Sequence, residues 1–345
     1  MEKLFSVTLT GVTSDLYYSP SLEPFFTHLA TFKEKLLFVA DTNTAPLLPA
    51  GVEKLVLPSG EEAKGWESVV QIVKRAKSLG FGRDDYLVAF GGGVIGDITA
   101  FAASLYMRGS ELILILTPLL AMVDATLGGK SAIDFDLSIN FLGTFYPAHE
   151  IYLTPAVLTT LPWREYKNGL AEVVKHALIS DNEELLLFLE KNSSSIIERE
   201  EHLFKELLYR SLLVKRSYIE RDPKETMGIR EVLNFGHTFG HALEVLGNFS
   251  RYSHGEAVAW GMARALEAGL KLKLTDLEFA QRAAALLELY AFNATHPIAD
   301  KGAFIEALQS DKKKRGSQVR FVLLKGRGDY EIVNLSNELI ESLIE

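Results

Sequence analysis

Along the first part of the chain, short apolar runs alternate with amphipathic stretches. Lys35–Ala40 reads as a buried strand that ends at Asp41-Thr42-Asn43, and Lys54–Leu57 as a second short strand. From about Gly65 to Leu79 the apolar positions Trp66, Val69, Val70, Val73 and Ala76 fall on one helical face. Tyr86–Phe90 is another continuous apolar run. It leads into Gly91-Gly92-Gly93-Val94-Ile95-Gly96-Asp97 and a helix through Tyr106, after which Leu112–Leu116 is the next strand. This strand–helix–strand rhythm predicts a parallel sheet with helices on its faces.

After about Leu161 the pattern changes. Helical periodicities dominate over Asn168–Ile179, Glu183–Lys191, His202–Ile219 and Glu256–Leu274. Ser193-Ser194-Ser195 marks a polar break between helices. One late strand, Val319–Leu324, has a candidate partner in Tyr330–Val333 across Gly326-Arg327-Gly328. The expected fold class is an α/β N-terminal domain with a parallel sheet, followed by a mostly α-helical C-terminal domain. A length of 345 residues exceeds what one core usually supports, so two domains are expected, 1–155 and 156–345.

Composition narrows the function classes. At 48% hydrophobic and 23% charged residues the chain has an ordinary globular make-up. A net charge of -9 argues against non-specific nucleic-acid binding, because Lys and Arg are not in excess. Cysteine is absent, so thiolate chemistry, disulfides and Cys-ligated metals are excluded. The start, Met1–Val7, reads as a strand without the apolar core of a signal peptide. The longest apolar run, Leu112–Val123, is interrupted by Thr117 and Pro118 and is too short to span a bilayer. No membrane association and a cytoplasmic location are expected.

The densest candidate chemistry is Leu233–His241 followed by Ser253-His254-Gly255-Glu256. If the first stretch is helical, His237 and His241 share a face, and His254 follows across a turn. Three of the chain's eight histidines thus fall in one region, which favours a metal or acid–base site over solvated side chains. Spacing alone does not say which of them bind metal. Glu172 and Lys175, three apart on an apolar helix, form either an ion pair or part of this site; a buried Glu172 would be a third ligand. Gly91–Asp97 joins a strand to a helix, where backbone N–H groups and the helix terminus suit a phosphate, although the spacing is not G-x-G-x-x-G. Asp41 is either a turn residue or a ribose acceptor. Gly128-Gly129-Lys130-Ser131 lacks the first glycine of a Walker loop and reads as a glycine-rich turn presenting Lys130 to an anion.

Taken together, GGGVIGD (91–97), YMRG (106–109), VDATLGGKS (123–131), GLAEVVKHALI (169–179), LNFGHTFGHALE (233–244), HGEAVAWGM (254–262) and DKK (311–313) resemble the 3-dehydroquinate synthase family of sugar phosphate cyclases. The resemblance implies an NAD-binding N-terminal domain and a helical metal-binding C-terminal domain, with the active site between them. It implies Glu172, His237 and His254 as ligands of a divalent metal, zinc or alternatively cobalt, and His241 as a proton-handling residue. Asp41, Asn43, Glu62, Lys64, Gly92, Gly93, Val94, Asp97, Thr117 and Thr160 match NAD contacts. Arg108, Asp124, Lys130, Asn140 and Lys312 match substrate positions; Lys175, Lys215, Glu225, Arg230 and Asn234 match catalytic ones. The implied reaction eliminates phosphate from a heptulosonate phosphate and closes a carbocycle, with NAD regenerated in each cycle. It makes the protein a lyase with a small-molecule substrate, and a homodimer.

The chain departs from the family pattern within Met122–Asn140. Ile139 stands where the family carries a lysine and Asp134 where asparagine is common; Met122 replaces glutamine, and Pro118 just before replaces threonine. These positions leave a cyclase acting on another sugar phosphate as the nearest alternative. A metal-dependent alcohol dehydrogenase and a non-enzymatic scaffold are more distant ones.

Overall fold

The computed structural model describes residues 1–136, 138–315 and 319–345, with backbone alone for 310–315. The chain divides into two compact units, Met1–Leu161 and Pro162–Glu345.

The first unit holds β1 (Glu2–Leu9), β2 (Val12–Tyr18), α1 (Glu23–Leu29), β3 (Leu36–Asp41), β4 (Lys54–Leu57), α2 (Trp66–Ser78), β5 (Tyr86–Gly91), α3 (Gly93–Leu105), β6 (Glu111–Leu116), β7 (Lys130–Phe135), β8 (Ser138–Phe145) and β9 (Glu150–Leu153). Seven strands form one sheet in the order β1-β2-β9-β6-β5-β3-β4. All neighbours pair in parallel except β1 and β2, which form an antiparallel edge. The central strands are buried on both faces, which is why they read as unbroken apolar runs. Phe38, Val88, Phe90, Ile113, Ile115 and Tyr152 pack with Phe25 and Leu29 of α1 in one continuous core.

The strand order places the functional end of this sheet. From β3 the chain moves outward to β4, then returns to β5 on the other side of β3. The direction of winding therefore reverses between β3 and β5. The crevice outside the carboxyl ends of such strands is the usual ligand site of open α/β sheets. Asp41 and Gly91 end the two strands.

The second unit comprises α4 (Trp163–Ile179), α5 (Glu184–Lys191), α6 (Ser193–Ile197), α7 (Glu201–Arg221), α8 (His237–Leu246), α9 (His254–Lys271), α10 (Leu277–Leu289), α11 (Lys301–Arg315), the hairpin β10 (Phe321–Gly326) and β11 (Asp329–Val333), and α12 (Asn337–Leu343). Every residue of α4 from Asn168 to Ile179 is buried, which makes it the central helix of this unit. Helices α8 and α9 meet backbone to backbone: a Cβ on Gly261 would lie 2.0 Å from the Gly236 carbonyl oxygen. Gly236 itself has φ +81°, a left-handed conformation that favours glycine and starts α8 at His237. Among the described residues no helix is long and apolar enough to cross a membrane.

Two sequence expectations are adjusted. Residues 233–241 are not one helix: a 3-10 turn over Ile229–Asn234 precedes the break at Gly236. The region after Gly129, read as a turn, continues into the antiparallel hairpin β7–β8.

Candidate functional site

In the first unit the glycine run lies on the β5–α3 connection. Gly92 is the N-cap of α3 and supplies no side-chain acceptor, so the first N–H groups of that helix point to whatever lies beyond it. A Cβ on Gly91 would sit 2.9 Å from Ile95 Cγ1, whereas one on Gly93 would meet nothing within 4 Å. The first glycine is therefore needed for packing, and the third borders open space beside an uncapped helix terminus. That combination suits an anion such as a pyrophosphate.

The surrounding side chains form a connected polar rim. Asp41 Oδ1 accepts from the backbone N–H groups of Asn43 and Thr44 at 2.9 and 2.8 Å, and the Thr44 hydroxyl lies 2.9 Å from both Asp41 Oδ1 and the Phe90 carbonyl. Thus Asp41 does serve a turn, through one carboxylate oxygen. Lys64 is buried with its Nζ 2.7 Å from Asp97 Oδ2 and 3.6 Å from Glu61 Oε1. Burial opposes the Lys64 ammonium, but Asp97 and Glu61 outweigh it and hold its pKa above the ordinary value. For Asp97 burial wins over the attraction of Lys64, and its carboxyl is raised. The Thr117 N–H donates to the Gly91 carbonyl at 3.0 Å. Val94 is in the first turn of α3. Glu62 is exposed in the 3-10 turn Glu61–Ala63, next to Lys64. Thr160 is exposed near the end of the unit.

The candidate substrate residues of this unit are more dispersed. Arg108 is exposed with φ +69°, and Asp124 is half-buried in a π-helical turn over Ala121–Ala125. Lys130 opens β7 and is exposed. Asn140, at φ +53°, donates its N–H to Asp134 Oδ1 at 2.7 Å, and Asp134 in turn donates its N–H to the Lys64 carbonyl at 2.8 Å. Ile139, 41% exposed, sits on the same hairpin strand.

In the second unit α4, α8 and α9 bring Glu172, His237 and His254 together. Glu172 is fully buried, while the His237 and His254 side chains keep 11% and 27% of their exposure. The carboxylate is therefore the floor of the site and the imidazoles its rim. Glu172 Oε1 lies 3.5 Å from Nε2 of His237 and 3.5 Å from Nε2 of His254. It accepts no well-formed hydrogen bond. Zinc bound by imidazole and carboxylate at about 2.0–2.2 Å in a tetrahedral arrangement sets its donors roughly 3.4 Å apart. An orphaned buried oxygen facing two ring nitrogens at that separation fits a divalent cation. His241 sits one turn beyond His237, their ring centroids 5.4 Å apart at 90°. It is not part of the Glu172–His237–His254 group.

Lys175 pairs with the other oxygen of Glu172, both side chains being buried. The electrostatics follow from this packing. Burial would raise the Glu172 carboxyl, but Lys175, His237 and His254 hold it well below the usual carboxylate range. Burial, reinforced by Lys175, keeps His237 neutral well below the ordinary imidazole value. For His254 burial is outweighed by the carboxylates of Glu172 and Glu244, which push the imidazole up to about 10.

A second cluster lies between α7 and α8. Arg230 is buried, its guanidinium donating to the Pro223 carbonyl at 3.0 Å and lying 3.5 Å from Glu225 Oε1. Lys215 is buried on α7, and Asn234 ends the turn that precedes α8. Lys312 lies on α11, and its side chain is outside the described residues.

The sequence reading missed several residues that build these clusters. Asp222 is buried, and its carboxylate accepts from the N–H groups of Thr226 (2.8 Å), Met227 (3.2 Å), Ile229 (3.1 Å) and Arg230 (3.5 Å), shaping the loop that carries Glu225 and Arg230. Asn168 Oδ1 accepts from the Gly255 N–H at 2.9 Å and ties α4 to the start of α9. Ser253 and Glu256 form a capping box around His254, legible in the sequence as S-x-x-E. Glu244 Oε1 lies 3.2 Å from Nδ1 of His254.

Comparison with known proteins also divides the chain in two, with the boundary inside α4. Residues 54–168 match the 3-dehydroquinate synthase N-terminal domain, and residues 169–314 match the 3-dehydroquinate synthase C-terminal domain. The chain is 41% identical to the 3-dehydroquinate synthase of Dictyoglomus thermophilum over 281 residues, which cover 81% of this chain and 78% of that protein. It is 37% identical to that of Acidithiobacillus ferrooxidans over 333 residues, covering 93% and 88%. Among solved structures, the 2-epi-5-epi-valiolone synthase of Streptomyces hygroscopicus, with NAD+ and Zn2+ bound, superposes with a TM-score of 0.85 at 28% identity, covering 97% of each chain.

Proposed function

Since this chain belongs to the 3-dehydroquinate synthase family, we propose that it converts 3-deoxy-D-arabino-heptulosonate 7-phosphate to 3-dehydroquinate and inorganic phosphate. The reading makes it an NAD- and metal-dependent carbon–oxygen lyase and a cytoplasmic homodimer. The observation that carries it is the Glu172 oxygen 3.5 Å from the Nε2 atoms of both His237 and His254.

In this reading Glu172, His237 and His254 hold a divalent cation, which when bound supplies a Lewis acid for the substrate's oxygens. NAD, when bound, would supply a hydride acceptor that is regenerated within the cycle. The open helix terminus at Gly92–Val94 takes the dinucleotide's phosphates, with Asp41 and Asn43 beside it and Lys64, Asp97, Glu62, Thr117 and Thr160 as further contacts. Lys175 keeps Glu172 ionised, and so holds the ligand in the form a metal requires. His241 moves a proton on its ring nitrogen as the substrate's hydroxyl and C–H groups react. Arg230, shaped by the Asp222 loop, and Lys215, Asn234 and Glu225 bind and orient the substrate's anionic and hydroxyl groups. Arg108, Asp124, Lys130, Asn140 and Lys312 complete the set.

The substrate assignment is tested by offering the purified protein, with NAD and zinc, the heptulosonate phosphate and glucose 6-phosphate in parallel. Release of phosphate and 3-dehydroquinate from the heptulosonate phosphate alone is expected. Turnover of the hexose phosphate instead would place the chain with a different cyclase.

A further inference from the structure

Glu244 has no role in the reading above, yet its placement is specific. It lies on α8 seven residues after His237 and three after His241, so all three share one face of the helix. Its carboxylate is turned to α9, where Oε1 meets His254 Nδ1 at 3.2 Å. The Glu244 side chain is only 13% exposed, and among the described residues His254 is the only group with which it forms an ion pair.

The consequence is geometric. A neutral imidazole carries one N–H, and a carboxylate acceptor at Nδ1 fixes that proton there. With the ring neutral, as a bound cation requires, the lone pair sits on Nε2, the nitrogen 3.5 Å from Glu172 Oε1. His237 has the same arrangement with a different acceptor: its Nδ1 lies 3.3 Å from the Phe235 carbonyl oxygen. Both rings thus present Nε2 to the same carboxylate oxygen. One is held by an uncharged backbone group and the other by a charged side chain.

We propose that Glu244 is the positioning residue for His254, fixing its tautomer and ring orientation and strengthening Nε2 as a ligand for a divalent cation. The inference rests on the metal reading of the Glu172–His237–His254 site. Loss of such a supporting acceptor typically weakens metal binding by roughly ten- to hundredfold. Backbone support leaves no equivalent side chain to remove at His237, so the effect belongs to Glu244 alone.

The test is zinc affinity, measured on the full-length metal-free protein by competition with a chromophoric chelator. For E244A an affinity about ten- to hundredfold below the wild type is expected. E244Q, which keeps an acceptor but loses the charge, is expected to fall between the two. A cobalt-substituted sample of each gives an independent readout, because the ligand-field absorption of cobalt shifts when a ligand is misoriented. Wild-type zinc affinity in E244A would overturn the proposal. If E244A does not fold, wild-type affinity in E244Q overturns it. A wild-type protein that binds no zinc would overturn the metal reading itself, a result distinct from both.

Discussion

Lys175 and Glu172 form a fully buried ion pair on one face of α4, and the glutamate's second oxygen faces the two imidazoles. The pair keeps an ionised carboxylate inside the protein where a neutral acid would be a poorer ligand. Removing one partner of a buried pair leaves an uncompensated charge and typically costs about 3–5 kcal/mol. Lys175→Met should therefore destabilise the metal-free protein by about that amount in urea titration. Adding Glu172→Gln should recover most of the loss, because the stranded charge is gone. A single variant within about 1 kcal/mol of wild type would show that the pair carries little energy.

The Asp222 loop gives a pH dependence with a defined sign. Burial opposes the ionised form, but the N–H groups of Met227, Thr226, Arg230 and Ile229 outweigh it and lower the Asp222 pKa below 3.8. A group depressed on folding contributes stability above its unfolded pKa, and that stability is lost as pH falls through the folded value. The wild type should therefore melt above Asp222→Asn at pH 5–6, and the gap should close as pH drops below about 4. The check is the difference in melting temperature between the two proteins from pH 2.5 to 6. A gap that does not change with pH would contradict the role of the ionised carboxylate.

By the resemblance to the family, Ile139 stands where a lysine is expected. It is exposed on β8, so Ile139→Lys should change stability by less than about 0.5 kcal/mol. If a charged contact was lost there, the new ammonium restores about 1.5 kcal/mol or more, and KM for the sugar phosphate or for NAD should fall by roughly tenfold. Loss of activity in a folded Ile139→Lys protein would instead show a site rebuilt around an apolar residue, and would favour a different sugar phosphate.

What the sequence made legible depended on the physics of each element. The strands Leu36–Asp41, Tyr86–Gly91 and Glu111–Leu116 were readable because burial on both faces leaves unbroken apolar runs. The hairpin β7–β8 was not, because its strands mix Lys130, Asp134, Asn140 and Gly143 with apolar residues that stay exposed, such as Phe135 and Phe141. The histidines were visible as a cluster, but the start of α8 at His237 depends on a left-handed Gly236 packed against α9. Asp222 acts on backbone N–H groups, which leave no mark in a sequence. Glu244 was visible at helical spacing from His237, but only the fold returns His254 to it.

Under the proposed function, phosphate is lost part-way through a redox cycle that leaves NAD unchanged. The most direct measurement supplies zinc-loaded protein with the heptulosonate phosphate in large excess over NAD, and follows phosphate release and absorbance at about 340 nm together. The account predicts phosphate released in amounts far exceeding the NAD present, strict dependence on NAD, and no accumulation of NADH. NADH rising in step with substrate consumption and stopping when NAD is exhausted, without phosphate release, would contradict it.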